Sequence, residues 1–173
     1  MLCAQQFIMA YDTVSMNVAI STIVEDLNTT LTGVQSVIAM YTVVMAAFMV
    51  SGAKLADRWG RRRVFTLGAL TYGTGAGITA LSPNLGVMAF GWSLIEGLGS
   101  AMVTPAILTL ATVNFAGAAR TRAFAAIGAA AGFGAAIAPI IAGFLTTYLS
   151  WRISFAAEVV VVLVVVSLQH VSQ

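Results

Sequence analysis

The stretch Gly52-Ala-Lys-Leu-Ala-Asp57-Arg58-Trp59-Gly60-Arg61-Arg62-Arg63 holds Lys54, Arg58, Arg61, Arg62 and Arg63, five of the eight Lys and Arg residues in the chain. Long apolar segments with almost no charge flank it on both sides. A charge cluster of this density cannot sit in hydrocarbon, where a single Arg, Lys or Asp costs about 2.5–3.5 kcal/mol at the centre of a helix. The cluster is therefore expected as a water-facing hairpin between two membrane-crossing segments. Short basic connections stay in the cytoplasm, so the same cluster also fixes the orientation.

The rest of the chain agrees. It is 60% hydrophobic and 8% charged. A soluble domain carries roughly 25% charged residues. So few charges cannot cover a soluble globule, and the solvent is mostly lipid. The net charge of +2 comes from residues in connections, so it reports topology and calls for no nucleic-acid partner. A lone cysteine, Cys3, excludes an intramolecular disulfide and a Cys-based metal cluster. The lone histidine, His170, has no partner for a His cluster. The first segment lacks a basic leader and an Ala-x-Ala cleavage site, so it reads as a retained span.

A spanning helix needs roughly 20 apolar residues, and six segments qualify, at about 2–24, 33–55, 64–82, 86–114, 123–149 and 153–170. The last is rich in valine, but an isolated strand would leave its backbone unpaired in lipid, so helix is expected. The expected fold is an all-α membrane protein: one bundle of six transmembrane helices. The connections alternate in character. Glu25-Asp26-Leu27-Asn28 is acidic, 54–63 is basic, Ser82-Pro83-Asn84 is uncharged, Arg120-Thr-Arg122 is basic, and Ser150-Trp151-Arg152 is short. Of the basic residues only Arg152 falls on the acidic side, which predicts cytoplasmic second and fourth connections and two cytoplasmic termini. Trp92, Tyr148 and Trp151 fall near the expected outer boundary, as an aromatic belt would.

Gly73 and Gly77, and Gly128 and Gly132, have the spacing that lets membrane helices approach closely. Pro105 and Pro139 fall inside the fourth and fifth segments, where each removes a backbone donor; broken helices there, and prolines that are merely common in membrane helices, are equal alternatives.

Three acids lie within segments: Asp12, Glu96 and Glu158. An intramembrane acid is a functional candidate by default, because it must face a watery cavity, find a partner or carry a proton. No basic residue lies within a span to pair with Glu96, which is the deepest of the three. Asp12 has Thr13, Ser15 and Asn17 nearby, so a structural polar knot is an equal alternative there. Glu158 is expected to snorkel to the outer interface. No Ser–His pair, Cys pair or phosphate loop is present, so enzyme chemistry, a cofactor and a metal are not called for. An intramembrane hydrolase would require Asp12 and Glu96 to meet.

At this point the basic stretch carries a second meaning. Ala53 to Arg62 resembles the connection between helices two and three of the major facilitator superfamily, written G-x-L-A-D-R-x-G-R-R, with Ala53 at the leading Gly. Asp12-Thr-Val-Ser-Met-Asn17-Val-Ala-Ile-Ser21 resembles the first-helix motif L-D-x-T-V-V-N-V-A-L-P of the fourteen-span drug:proton antiporter branch. Gly134 to Gly143 resembles the fifth-helix motif G-x-x-x-G-P-x-x-G-G, with Ala138 and Ala142 at two of its glycines. Trp151-Arg152 followed by Phe155 is similar to the W-R-W-x-F start of helix six, and Ser93-Leu-Ile-Glu96-Gly97 aligns with R-x-x-Q-G. The family's Arg is thus Ser93, and an acid stands one turn away.

The resemblance implies a proton-coupled multidrug efflux antiporter in the cell membrane. It would move drug-like amphipathic compounds by rocking one half against another, each half built of two inverted three-helix repeats. It implies a cytoplasmic gate at Asp57, Arg58, Gly60, Arg61 and Arg62, with Asp57 capping a helix and pairing across the halves. It also implies a fifth helix shaped by Gly134, Pro139 and Gly143. Asp12, Asn17 and Glu96 become the proton or substrate candidates. The matched motifs belong to the N-terminal half only, so the expected partners are lipid, substrate, protons, and a C-terminal half or a second copy. The alternative is a non-transporting fragment or assembly partner that needs such a second half.

Overall fold

The computed structural model describes residues 1–171, with the side chains of His170 and Val171 outside the description. Among the described residues every regular element is a helix. The chain runs through α1 (Leu2–Val18), α2 (Ile20–Asp26), α3 (Leu31–Trp59), α4 (Arg61–Ala80), α5 (Leu85–Met88), a π-helical segment (Ala89–Glu96), α6 (Gly97–Asn114), α7 (Gly117–Tyr148) and α8 (Trp151–Val171).

Local signals set the starts of two of these helices. Thr30 caps α3 by accepting the Gly33 amide at 3.0 Å, and Asn84 caps α5 by accepting the Val87 amide at 2.9 Å. The basic stretch is not a loop several residues long. α3 runs to Trp59 and α4 begins at Arg61, so the connection is Gly60 alone, at φ +90°. That backbone angle is one a side chain with a Cβ rarely adopts. Gly60→Val should therefore lower stability by about 1–2 kcal/mol, read as an earlier thermal transition in detergent micelles. Arg120 and Arg122 likewise lie within α7, in its first turns.

Among the described residues four helices are individually long and apolar enough to cross a membrane: Leu31–Trp59, Leu85–Asn114, Gly117–Tyr148 and Trp151–Gln169. A fifth crossing is made if α1 and α2, which meet at 62°, form one bent span. α4 falls short of that apolarity because it opens on three arginines and is rich in Gly and Thr. Its position explains how this is tolerated. It packs against α3, α6, α8 and the π-helical segment, and ten of its twenty residues are buried, so little of it meets lipid. α3 and α7, by contrast, expose large apolar side chains such as Val43, Val50, Phe133 and Ile140.

The bends do not fall at the prolines. α6 and α7 each continue through Pro105 and Pro139 as single helices. The irregularities fall at Ala19, between α1 and α2, and in the π-helical segment, neither of which contains a proline. Close helix contacts likewise fall at other glycines. Gly73 meets Val162 of α8, as its spacing predicts, but Gly128 and Gly132 have nothing within 4 Å. The tightest approaches are at Gly52, Gly75, Gly99 and Gly134, where an added Cβ would lie 2.4–2.5 Å from a neighbouring helix's backbone.

Two apolar cores result. One gathers Ile8, Tyr11, Phe65, Tyr72, Ile107 and Val165; the other gathers Met16, Ile23, Tyr41, Trp92, Trp151 and Phe155. Trp151 belongs to the second core and not to a lipid-facing belt, because its indole N–H donates to Asp26 Oδ2 at 3.0 Å. The adjacent Arg152 pairs with the same Asp26, donates to the Ser82 carbonyl at 2.7 Å and lies 4.4 Å over the Trp151 ring. One guanidinium thus ties three connections together at one end of the bundle. The pair is partly exposed, so Arg152→Met should cost only about 1 kcal/mol. Thermal unfolding at low and high salt measures it, and the difference from the parent should shrink with salt.

Candidate functional site

The middle of the bundle brings together three carboxyl groups from three different helices. Asp12 of α1, Glu96 at the end of the π-helical segment and Glu158 of α8 are all 0% exposed. One ligand oxygen from each lies within 4.8 Å of the others. Asp12 and Glu96 therefore meet, a contact that linear sequence does not reveal. Glu158 corrects its expectation: it does not snorkel outward, but accepts a hydrogen bond from Tyr72 Oη at 3.3 Å inside the core. Helix register explains the difference. Glu158 sits seven residues after Trp151, so both fall on the one inward face of α8.

The donors around the carboxyl groups are neutral. Trp92 Nε1 donates to both oxygens of Asp12, at 3.0 and 3.1 Å. Trp92 is thus a buried partner of the site and not part of an outer aromatic belt. Its ring stacks on Tyr41 at 4.4 Å between centroids, and Tyr41 Oη is 2.7 Å from Ser100 Oγ. Tyr11 Oη donates to Ser154 Oγ at 3.4 Å. Ser93, at the position of the family's Arg, is buried and donates to the Val37 carbonyl at 2.7 Å. No Lys or Arg faces the cluster among the described residues, because all eight lie at helix ends or connections.

Both oxygens of Glu96 and Oε1 of Glu158 lack a hydrogen-bond partner. Two features aim Glu96 inward. The π-helical turn adds a residue per turn and rotates the side chain relative to an α-helix. Gly75 then lets the segment press against α4: a Cβ there would lie 2.5 Å from the Glu96 amide nitrogen. An ordinary side chain at residue 75 would push the carboxyl group away.

The other candidates lie elsewhere. Asn17 is exposed, on the far side of α1 from Asp12, and donates to the Thr13 carbonyl at 2.8 Å. Asp57 is exposed and pairs with Arg61 at 3.8 Å. It does not cap α4, which starts at Arg61 after Gly60 with no side-chain cap. Arg58 and Arg62 are exposed beside it. In α7, Gly134 presses on the Phe7 carbonyl, and Ala138 and Ala142 are fully buried. Pro139 and Gly143 point away from the bundle, with nothing within 4 Å of Gly143. An apolar cavity of about 560 Å³ opens near the starts of α1 and α7, lined by residues including Leu2, Cys3, Phe115 and Ile127. The acid cluster does not line it.

Trp92, Tyr72 and Tyr41 are the parts of the site that the sequence did not reveal. The only available signal was the spacing of Trp92 and Glu96, four residues apart, and the π-helical turn makes even that an unreliable guide to facing.

The profile of the Major Facilitator Superfamily matches residues 2–169. The chain is 33% identical over 152 residues to the puromycin resistance protein pur8 of Streptomyces alboniger, covering 87% of this chain and 30% of that protein. It is 35% identical over 156 residues to the cephamycin export protein CmcT of Amycolatopsis lactamdurans, covering 87% and 31%. It is 32% identical over 154 residues to the drug efflux pump JefA of Mycobacterium tuberculosis, covering 88% and 30%. The chain thus spans about a third of the length of these relatives. Its fold is similar to a crystal structure of a mutant peptide transporter POT in complex with sulfate, with a TM-score of 0.86 at 17% identity over 99% of this chain and 36% of that one.

Proposed function

The chain belongs to the Major Facilitator Superfamily, and from that premise we propose that it is the N-terminal half of a proton-coupled exporter of drug-like amphipathic compounds. The observation that carries the reading is the buried cluster of Asp12, Glu96 and Glu158, with no cation facing it among the described residues. A carboxyl group in such a site is neutral with a proton and strained without one. It therefore takes up a proton from one side and releases it when the surroundings change. The names of pur8, CmcT and JefA supply the export direction and the substrate class.

In this reading the chain crosses the cell membrane six times, as two inverted three-helix repeats with both termini in the cytoplasm. A C-terminal half, or a second copy, covers the exposed apolar faces of α3 and α7, where Phe48 is 46% and Phe144 58% exposed. The Asp57–Arg61 pair, with Arg58, Arg62 and the Gly60 turn, forms the cytoplasmic gate against that half. Gly134 seats the fifth span on α1, while Pro139 and Gly143 face the second half. Asn17 offers substrate an amide on the open side of α1. The proton site lies within the half and not on its open face, so proton and substrate occupy different places and are coupled by helix movement.

The test uses inverted membrane vesicles containing the complete transporter. An imposed gradient, acid inside, should drive accumulation of a fluorescent lipophilic drug, and a protonophore should collapse it. Accumulation indifferent to the protonophore would remove the proton from the reading.

A further inference from the structure

We propose that the cluster of Asp12, Glu96 and Glu158 is also a binding site for a small hard metal cation of about the size of sodium or calcium. The inference does not rest on drug export, since such a site binds its ion whether or not a substrate is moved.

Geometry sets the ion's size. The three ligand oxygens fall within 4.8 Å of one another. Calcium holds oxygens at about 2.3–2.6 Å, so its ligands lie up to about 5 Å apart around it. Sodium has nearly the same radius. An ion between the three carboxyl groups would therefore be within reach of one oxygen from each helix. Magnesium demands near-ideal octahedral geometry at about 2.0–2.1 Å, which carboxyl oxygens from three separate helices do not preorganise. Zinc prefers nitrogen and sulfur ligands, and none is offered here.

The hydrogen bonding points the same way. Trp92 grips Asp12 through both oxygens, and Tyr72 holds Glu158 through Oε2 alone. These bonds fix the two carboxyl groups as neutral donors around a metal ligand do. The atoms left over are Oε1 of Glu158 and both oxygens of Glu96, all buried and all without a hydrogen-bond partner. Orphan acceptors are costly in a dry core. They belong to the same three-residue group whose ligand atoms lie within 4.8 Å of one another. The remaining ionisable groups that interact with the cluster are Tyr11 of α1, Tyr41 of α3 and Tyr72 of α4. None of them supplies a positive charge. The rare π-helical turn that delivers Glu96, and the glycine that receives it, are the kind of local irregularity found at functional sites.

The experiment measures binding of radioactive sodium and, separately, calcium to the full chain in lipid nanodiscs, with choline chloride holding ionic strength. No substrate and no gradient are present, so its result is independent of the export assay. One of the two ions should bind saturably at one per chain. Glu96→Gln and Glu158→Gln should each weaken it at least tenfold, while Glu25→Gln leaves it unchanged. Circular-dichroism melting checks that each variant is folded. The intrinsic fluorescence of the chain should change along the same binding curve, because Trp92 touches a ligand. Saturable binding of neither ion to the folded parent chain overturns the proposal and leaves the protons as sole occupants. Binding that survives both cluster substitutions overturns it as well.

Discussion

Glu96→Gln is expected to abolish proton-driven export by the complete transporter while leaving the bundle at least as stable as the parent. The substitution keeps the shape of the side chain and removes its titration. Neither oxygen of Glu96 has a hydrogen-bond partner to lose. The new amide gains two donors beside the carboxyl groups of Asp12 and Glu158, which lie within 4.8 Å. Exchanging one of several crowded acids for an amide also removes the cost of ionising that group in a dry core. Transport driven by an acid-inside gradient should fall by roughly a hundredfold, the loss typical of removing an essential proton-transferring group. Membrane insertion and the melting temperature should hold. Asp12→Asn is the informative contrast. Its amide would face the Trp92 indole donor at one of the two oxygens now bonded at 3.0 and 3.1 Å, so both transport and stability should drop. Full proton coupling in the Glu96 variant would exclude that residue from the mechanism.

The second large effect concerns packing. Gly99→Ala should destabilise the bundle severely, although alanine favours a helix over glycine by about 1 kcal/mol. The added Cβ would lie 2.4 Å from the Tyr72 amide nitrogen, 2.7 Å from its Cα and 2.8 Å from the Gly68 carbonyl oxygen. All three are backbone atoms of α4, so no side chain can swing aside. The helices must separate, at about 3 kcal/mol or more, the upper range for overpacking. Because Tyr72 donates to Glu158, the separation would also disturb the acid cluster. Gly128→Ala has nothing within 4 Å of the new atom, so in this chain it should be neutral or mildly stabilising, by up to about 1 kcal/mol. Thermal unfolding of both variants in the same micelles decides the matter. Equal melting temperatures would mean that α4 and α6 are not in the contact described.

Legibility of the site differed residue by residue. Asp12 and Glu96 stood out because an acid in an apolar run is expensive, a property of local sequence alone. Glu158 is just as costly, but its nearness to Trp151 favoured an outward direction, which the fold overturns. Only the rotation of α8 against α4 turned it inward. Trp92 was ambiguous for a related reason: an indole suits both a membrane interface and a buried hydrogen bond. The prolines left both readings open, and the bends fell at Ala19 and at the π-helical turn, where no breaker residue stands. Those irregularities answer to packing, and packing is not written in any one segment.

The sequence by itself determined the solvent, the helical class and the family. Each depends on counts and short-range order: too few charges for water, spans of apolar residues, and a basic motif around Gly60 between two of them. Tertiary structure alone decided which side chains meet. The carboxyl groups of residues 12, 96 and 158 converge because glycines at 75 and 99 let α4 approach the helices beside it and a π-helical turn re-aims Glu96. These are contacts between atoms far apart in the chain, and their energies belong to pairs of helices, not to any stretch that can be read alone.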